Sequence, residues 1–104
     1  MSQSQSAQVI GIGICTVDNL FTISRMPQVG SSVRASQYLQ QSGGLVGTAL
    51  VALSRLGVST EIVARIGDDP AGQFIYDEFI QDGVGVKGLI REANALSHVA
   101  TVLV

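Results

Sequence analysis

Charged residues are scarce in this sequence. Lys, Arg, Asp and Glu together make up 13% of the 104 residues, about half of the quarter that is usual for soluble domains. The formal net charge is −2, with only six Lys and Arg residues. A nucleic-acid-binding surface needs clustered basic residues to neutralise phosphates. We therefore expect no nucleic acid among the partners of this chain.

Cysteine is almost absent, and long apolar runs are missing. Cys15 is the single cysteine, so no disulfide can form within the chain. The opening letters MSQSQSAQ have neither the basic start nor the apolar run of a signal peptide. Glycine or polar residues interrupt every apolar stretch before it reaches the roughly 18 residues of a membrane-spanning helix. These absences predict a soluble, cytoplasmic protein with no membrane partner.

Apolar residues are plentiful for so short a chain. They make up 46% of the sequence, and a small domain can bury only a limited share of its surface. The last apolar run also ends at Val104 without a turn residue, which predicts an unfinished sheet with an unpaired edge over residues 99–104. Either the chain oligomerises or it belongs to a larger core. We expect it to be a fragment of a larger protein.

Strand-like and helix-like segments alternate along the chain. The polar residues 1–8 are expected to be a disordered tail, and residues 9–104 to form the domain. Two short extended segments, 21–23 and 33–39, are separated by turn residues and predict a small β-flap. The alternation favours an α/β fold, a mostly parallel sheet with helices on its faces. The predicted strands are 9–14, 61–66, 84–90 and 99–104, and the predicted helices are 45–56 and the segment from Pro70 to Gly83.

Asp18 is the first candidate site residue. It follows the first predicted strand, and ligands of open α/β sheets lie beyond the carboxyl ends of the strands. A carboxylate there can accept hydrogen bonds from two neighbouring hydroxyls of a polyol. A turn or capping aspartate is the alternative. A dinucleotide-binding GxGxxG loop is not indicated, because Thr16 stands where the third glycine belongs.

Gly43 and Gly44 lie between the flap and the first predicted helix. Paired glycines let the chain bend sharply, and they expose backbone amides at a helix N-terminus with no Cβ in the way. This arrangement suits a hinge beside a polar ligand. A tight connection with no ligand explains the pair equally well.

Five motifs in order and spacing resemble those of PfkB-type carbohydrate kinases, the ribokinase family. The resemblance covers residues 9–104. Its motifs are Gly13 with Asp18, the pair Gly43 and Gly44, the helix ending Arg55-Leu56-Gly57, the segment Gly67-Asp68-Asp69 with Gly72, and the pair Gly83 and Val84.

The resemblance implies a ribokinase-like α/β/α sandwich, of which this chain is the N-terminal part, with a β-flap lid over about residues 20–42. It implies transfer of a phosphoryl group from ATP, with Mg²⁺, to a hydroxyl of a sugar or similar substrate. Asp18, Gly43, Gly44 and Thr48 would contact that substrate. The family's catalytic Asp belongs to a GAGD-like motif, which this sequence lacks. No catalytic residue is therefore assigned, ATP and Mg²⁺ would be bound mainly elsewhere, and the 104 residues are expected to be inactive alone. The resemblance also leaves open a homodimer formed through the lid.

Two positions depart from the family pattern. Thr48 stands where the family usually places an Asn that contacts a substrate hydroxyl, and Leu50 stands where a small residue is usual. Thr48 keeps one hydroxyl but loses the separate donor and acceptor of an amide. A non-catalytic module of the same fold, which binds a ligand or only dimerises, is the alternative function.

Other conspicuous residues have structural explanations. Asp69 precedes Pro70, which predicts a helix N-cap and not a metal pair with Asp68. Cys15 has no Cys or His nearby in the sequence and is expected to be a buried, inert thiol. His98 is expected to be a structural or surface residue at the start of the last strand.

Overall fold

The computed structural model describes residues 6–104. Its helices and strands follow one another in the order that the sequence predicts. The elements are β1 (Val9–Ile12), β2 (Thr16–Thr22), β3 (Gln37–Gly43), α1 (Leu45–Arg55), β4 (Thr60–Gly67), α2 (Pro70–Gln81), β5 (Gly85–Glu92) and β6 (His98–Leu103).

Three parallel strands form the main sheet, in the order β1-β4-β5. The chain passes from β1 to β4 through β2, β3 and α1, and from β4 to β5 through α2. Parallel neighbours need a crossover of this kind, since a short turn cannot return the chain to the same end of the sheet. The predicted parallel α/β architecture is confirmed.

Both helices begin and end where local signals place them. Gly57, with φ +90°, follows the last turn of α1 and takes a conformation that other residues rarely adopt. The Asp69 carboxylate caps α2 by accepting a hydrogen bond from the Gly72 amide at 2.8 Å, with Pro70 in the first turn. The capping role predicted for Asp69 is therefore confirmed.

One face of the main sheet carries the core. Alternate residues of β4, namely Ile62, Ala64 and Ile66, are buried against the helices. Leu50 of α1 and Phe79 of α2 belong to the same buried cluster. The side chains of both helices therefore share one core beneath one face of the sheet.

The opposite face of the main sheet is open. Ile10 and Ile12 on β1 are 60% and 75% exposed, and Ile90 on β5 is 53% exposed. Both described helices lie on the other, covered face. The physical reason is handedness: two right-handed crossovers that step in the same direction across a sheet put their helices on the same side.

A second three-stranded sheet has the order β3-β2-β6, and we call it the lid sheet, or lid, because it contains the predicted flap. β2 and β3 are antiparallel, and β2 and β6 are parallel. The lid begins at Thr16, earlier than the predicted residue 20, and it includes the last strand. Cross-strand pairing decides these bounds, although Asp18 and Asn19 are residue types that strands disfavour.

The last strand does not leave the fully unpaired edge that the sequence analysis expects. β6 pairs with β2 over residues 98–103, and the Val104 amide donates to the Phe21 carbonyl at 2.8 Å. The backbone groups of β6 on the β2 side are therefore satisfied, and its other side is an edge of the lid sheet.

The tail predicted over residues 1–8 falls partly outside the described residues, which begin at residue 6. Gln8 is held by hydrogen bonds with Ser59: its amide donates to the Ser59 carbonyl at 2.9 Å, and its side chain accepts from the Ser59 amide at 3.0 Å. Within residues 6–104, neither helix is long enough to span a lipid bilayer.

Asp69 also binds the segment that leads into β6. The Ser97 hydroxyl and the Ser97 amide donate to its two carboxylate oxygens at 2.7 and 2.8 Å. These hydrogen bonds favour the charged carboxylate and lower the pKa of Asp69 below its usual range, and the bond from the Ser97 hydroxyl has the largest effect.

A pH dependence of stability follows from this lowered pKa. A carboxyl group whose pKa is depressed in the folded state stabilises the fold above its unfolded pKa of about 3.9, and the contribution is lost as the pH falls towards the folded pKa. We expect the wild type to melt at a higher temperature than Asp69→Asn at pH 7, and the difference to shrink below about pH 4. Thermal melts of both proteins between pH 7 and pH 3 measure it. A difference that stays constant over this range would contradict the assignment.

Candidate functional site

A cavity of about 520 Å³ lies where the lid meets the N-terminus of α1. All four candidate residues, Asp18, Gly43, Gly44 and Thr48, line it. The structure thus brings together side chains and backbone from β2, from the end of β3 and from the first turn of α1. The remaining lining residues are Gln41, Ser42, Leu45, Ala49 and Ala52.

Asp18 lies within β2, directly opposite Gln41 of β3 in the antiparallel register. The alternative of a turn or capping aspartate is therefore wrong, because β2 already begins at Thr16. The Thr16 hydroxyl donates to Asp18 Oδ1 at 2.8 Å, and the carboxylate is half-buried. Within residues 6–104 the Asp18 side chain makes no other hydrogen bond. Its second carboxylate oxygen, Oδ2, is therefore free to accept from a ligand hydroxyl.

Gly43 is buried beside the Asp18 carboxylate. A Cβ at position 43 would overlap that carboxylate and would also press on the Thr16 hydroxyl. The absence of a side chain therefore lets the lid strand pass close to the acidic group. Glycine at this position is what allows Asp18 to sit at the wall of the cavity.

Gly44 turns the chain from the lid into α1. Its φ of +96° with ψ of 140° is a conformation close to the region that only glycine occupies. A Cβ there would overlap the carbonyl oxygen of Ile14, which belongs to the connection between β1 and β2. The glycine pair thus has a structural reason for being there, whether or not a ligand is bound.

The first turn of α1 presents free backbone amides at the cavity. The first bond inside the helix runs from the Thr48 amide to the Gly44 carbonyl at 3.0 Å. The amides of residues 45–47 therefore have no partner within the helix. No side chain caps this end, and its first turn holds no acidic residue. The positive end of the helix dipole is available to oxygen atoms of a ligand.

Thr48 and Leu50, the two departures from the family pattern, have different surroundings. Thr48 is exposed and lines the cavity, so its hydroxyl can reach a ligand. It also lines a second cavity of about 170 Å³ between α1 and α2. Leu50 is 2% exposed and belongs to the core. The departure at Leu50 therefore changes the packing of α1 and leaves the cavity wall untouched.

Sequence reasoning missed several lining residues. Gln41 and Ser42 come from the end of β3, and the register that sets Gln41 against Asp18 depends on strand pairing. Their polar run just before Gly43 is the one signal that could have found them. Ala49 and Ala52 carry no such signal, because small apolar residues on a helix are equally typical of a packing surface.

Cys15 is three positions before Asp18 in the sequence but does not line the cavity. It is 1% exposed, and burial raises the pKa of its thiol to about 11. The thiol therefore stays protonated at neutral pH, in agreement with the expected inert residue. Among residues 6–104, no three His, Cys, Asp or Glu side chains converge in a way that could hold a metal ion. The residues present thus do not fit a Mg²⁺ site by themselves.

Comparison with known proteins gives consistent relatives. Mouse ribokinase is 24% identical over 102 residues, which are 98% of this chain and 32% of the relative. A ribokinase from Cryptococcus neoformans, solved in complex with ADP, superposes with a TM-score of 0.77 at 21% identity, over 94% of this chain and 30% of that one. Aminoimidazole riboside kinase from Salmonella enterica, complexed with aminoimidazole riboside and an ATP analog, superposes with a TM-score of 0.71 at 30% identity. This superposition covers 89% of this chain and 28% of that one.

The chain spans about a third of the length of the relatives it matches. The superposition on the Cryptococcus ribokinase nevertheless covers 94% of this chain, so the two chains share a fold over nearly its whole length. Residues 6–104 match the family described as pfkB family carbohydrate kinase. This chain therefore belongs to the pfkB family of carbohydrate kinases.

Proposed function

We propose that this chain forms the substrate-binding part and the lid of a kinase that transfers a phosphoryl group from ATP to a hydroxyl of a sugar or related molecule. The observation that carries the proposal is the convergence of Asp18, Gly43, Gly44 and Thr48 on one cavity under the lid. Three separate segments of the chain meet there, and each supplies groups that suit hydroxyls.

The groups around the cavity complement a polyol. Asp18 accepts hydrogen bonds from two neighbouring hydroxyls, and a charged acceptor makes these bonds stronger than neutral ones. The free amides at the start of α1 donate to the substrate oxygens, and the Thr48 hydroxyl can do either. The lid sheet covers the bound substrate and excludes water from it. These residues bind and orient a hydroxylated molecule.

Chemistry at the phosphoryl group requires residues that this chain does not supply. Phosphoryl transfer needs a base near the attacking hydroxyl and cations that neutralise the phosphates. We propose that ATP and Mg²⁺ are bound mainly by a part of the protein corresponding to the remaining two thirds of the relatives. The Cryptococcus and Salmonella kinases, with ADP and an ATP analog bound, support the choice of nucleotide. A homodimer formed through the lid stays a prediction.

We expect residues 1–104 alone to transfer no phosphate from ATP to D-ribose or D-fructose, because the sequence lacks the GAGD-like motif that would supply the general base. Incubation with radiolabelled ATP and each sugar measures the transfer. The coding sequence beyond the codon for Val104 provides the companion test, since the proposal requires a GAGD-like motif there. Transfer by the 104 residues, or a stop codon directly after Val104, would contradict the proposed division of roles.

A non-catalytic ligand-binding module of the same fold is the second candidate. Thr48 favours it, because a threonine offers fewer separate donors and acceptors than the Asn usual in the family. The surroundings of Leu50 no longer favour it, since that side chain is buried in the core. Sugar binding without phosphoryl transfer by the longer protein would identify this module.

A further inference from the structure

Three connections join the lid sheet to the rest of the fold: residues 13–15 from β1, Gly44 into α1, and residues 93–97 from β5. The first two are short and contain glycine, and they pack against each other where Gly44 meets Ile14. The third leads from β5 into β6 and contains no glycine. It is the connection whose position is set by buried side-chain hydrogen bonds.

Asp69 and Ser97 form the centre of these hydrogen bonds. Asp69 Oδ1 accepts from the Ser97 hydroxyl at 2.7 Å, and Oδ2 accepts from the Ser97 amide at 2.8 Å. The Ser97 hydroxyl in turn accepts from the Gly67 amide, at the end of β4, at 2.9 Å. Ser97 is 8% exposed, so water competes little for these bonds. The network ties the residue before β6 to both β4 and α2.

Close backbone packing holds the same connection in place. A Cβ at Gly67 would overlap the Ala95 carbonyl and the Ser97 amide, and a Cβ at Gly72 would overlap the Gly67 carbonyl. The segment 93–97 therefore lies directly on the end of β4 with no intervening side chain. A small shift of Ser97 would break hydrogen bonds to two different elements at once.

The network connects to the substrate cavity through strand pairing. His98 follows Ser97 and pairs with Thr16, and two residues later Ala100 pairs with Asp18. Because a parallel ladder fixes the axial position of each strand against its neighbour, the position of Ser97 sets where β2 lies. β2 carries both the Asp18 carboxylate and the Thr16 hydroxyl that binds it.

We propose that Asp69 and Ser97 are positioning residues, which fix the lid sheet against the main sheet and so place Asp18 at the cavity. The consequence for substrate binding rests on the proposed function, whereas the effect on the lid does not. Neither residue lines the cavity.

Hydrogen exchange of the lid tests the proposal without any substrate. Asp69→Asn replaces Oδ2, which accepts from the Ser97 amide, with an amide nitrogen that cannot accept a hydrogen bond. Ser97→Ala removes the hydroxyl and keeps the Asp69 charge. We expect amides of β6 and β2 to exchange about tenfold faster or more in both variants, with the amides of residues 60–66 in β4 nearly unchanged. The Gly67 amide is left out of this comparison, because Ser97→Ala removes the hydroxyl that accepts its hydrogen bond. Asp68→Asn is the matched control, because Asp68 is exposed and its side chain is absent from the network. It should exchange as the wild type does.

The two variants together keep the test decisive. If Asp69→Asn fails to fold, Ser97→Ala decides. Lid amides that exchange at the wild-type rate would overturn the proposal. An equal acceleration in β4 and in the lid would also overturn it, since this would show a general loss of stability and no specific role at the lid.

Steady-state kinetics of the longer, phosphorylating protein give the second readout. We expect Ser97→Ala to raise the KM for the sugar severalfold and to leave the KM for ATP unchanged, because a displaced Asp18 affects sugar contacts alone. If the wild type itself phosphorylates no sugar, the proposed function is wrong. The hydrogen-exchange experiment still tests the positioning role, because it uses no substrate. An unchanged KM for the sugar in an active Ser97→Ala enzyme would refute the link to Asp18.

Discussion

Asp18→Ala is expected to weaken sugar binding by about tenfold to 100-fold while the protein remains folded. A charge-assisted hydrogen bond to a hydroxyl contributes about 1.5 to 3 kcal/mol, and each 1.4 kcal/mol corresponds to about a tenfold change in affinity. Asp18 Oδ2 has no partner within residues 6–104, and the Thr16 hydroxyl that donates to Oδ1 is only part-buried and can turn to water, so the fold should survive. ATP binding should hardly change. Calorimetric titration of the longer protein with its sugar substrate measures the effect.

Two further proteins make this result specific. Asp18→Asn keeps the size of the side chain beside Gly43 and removes the charge, so it should lose most of the same affinity. Asp68→Ala removes an exposed carboxylate that does not line the cavity and should bind sugar as the wild type does. If Asp18→Ala binds sugar as tightly as the wild type, Asp18 is only a strand residue. If it fails to melt cooperatively, its role is structural.

Gly44→Ala is expected to lower the free energy of unfolding by about 2 kcal/mol or more beyond the cost of Gly57→Ala. Both glycines have positive φ, +96° and +90°, so both alanines pay for a backbone conformation that costs about 1 to 3 kcal/mol. Only at Gly44 would the new Cβ also overlap a backbone carbonyl, that of Ile14, whereas nothing lies within 4 Å at Gly57. The difference between the two variants measures this overlap together with the rarer backbone conformation of Gly44.

Urea denaturation of the wild type and both variants measures the difference. The midpoints give the stability changes provided that the slopes agree. If the Gly44→Ala and Gly57→Ala proteins are equally stable, residues 13–15, which include Ile14, can shift to accommodate the new Cβ without cost. That outcome would also mean that the lid is joined to α1 less rigidly than the packing around Gly44 indicates.

The strongest local signals in the chain were sufficient to predict helices and caps. Asp69 with Pro70 predicts the start of α2, and Gly57 and Gly83 predict the ends of both helices, because each residue acts within one turn of its own position. The family motifs likewise led to Asp18, Gly43, Gly44 and Thr48, which the fold brings to one cavity.

Long-range pairing accounts for the predictions that were wrong. Asp18 was expected just beyond the end of the first strand, yet it lies within β2, because seven residues of β3 and six of β6 pair along that strand. The lid therefore starts at residue 16, and the last strand joins it. Local propensity around Asp18 and Asn19 is weaker than the hydrogen bonds of two neighbouring strands.

Sequence by itself determined the order of the elements, the helix caps and the family, because these depend on residue types and spacings within short segments. Tertiary structure alone decided which face of the main sheet is covered, that β6 belongs to the lid, and that Ser97 binds Asp69 across 28 positions of sequence. The physical reason is that these contacts join residues far apart in the chain. Their partners are chosen by sheet register, crossover handedness and close backbone packing, which no single segment encodes.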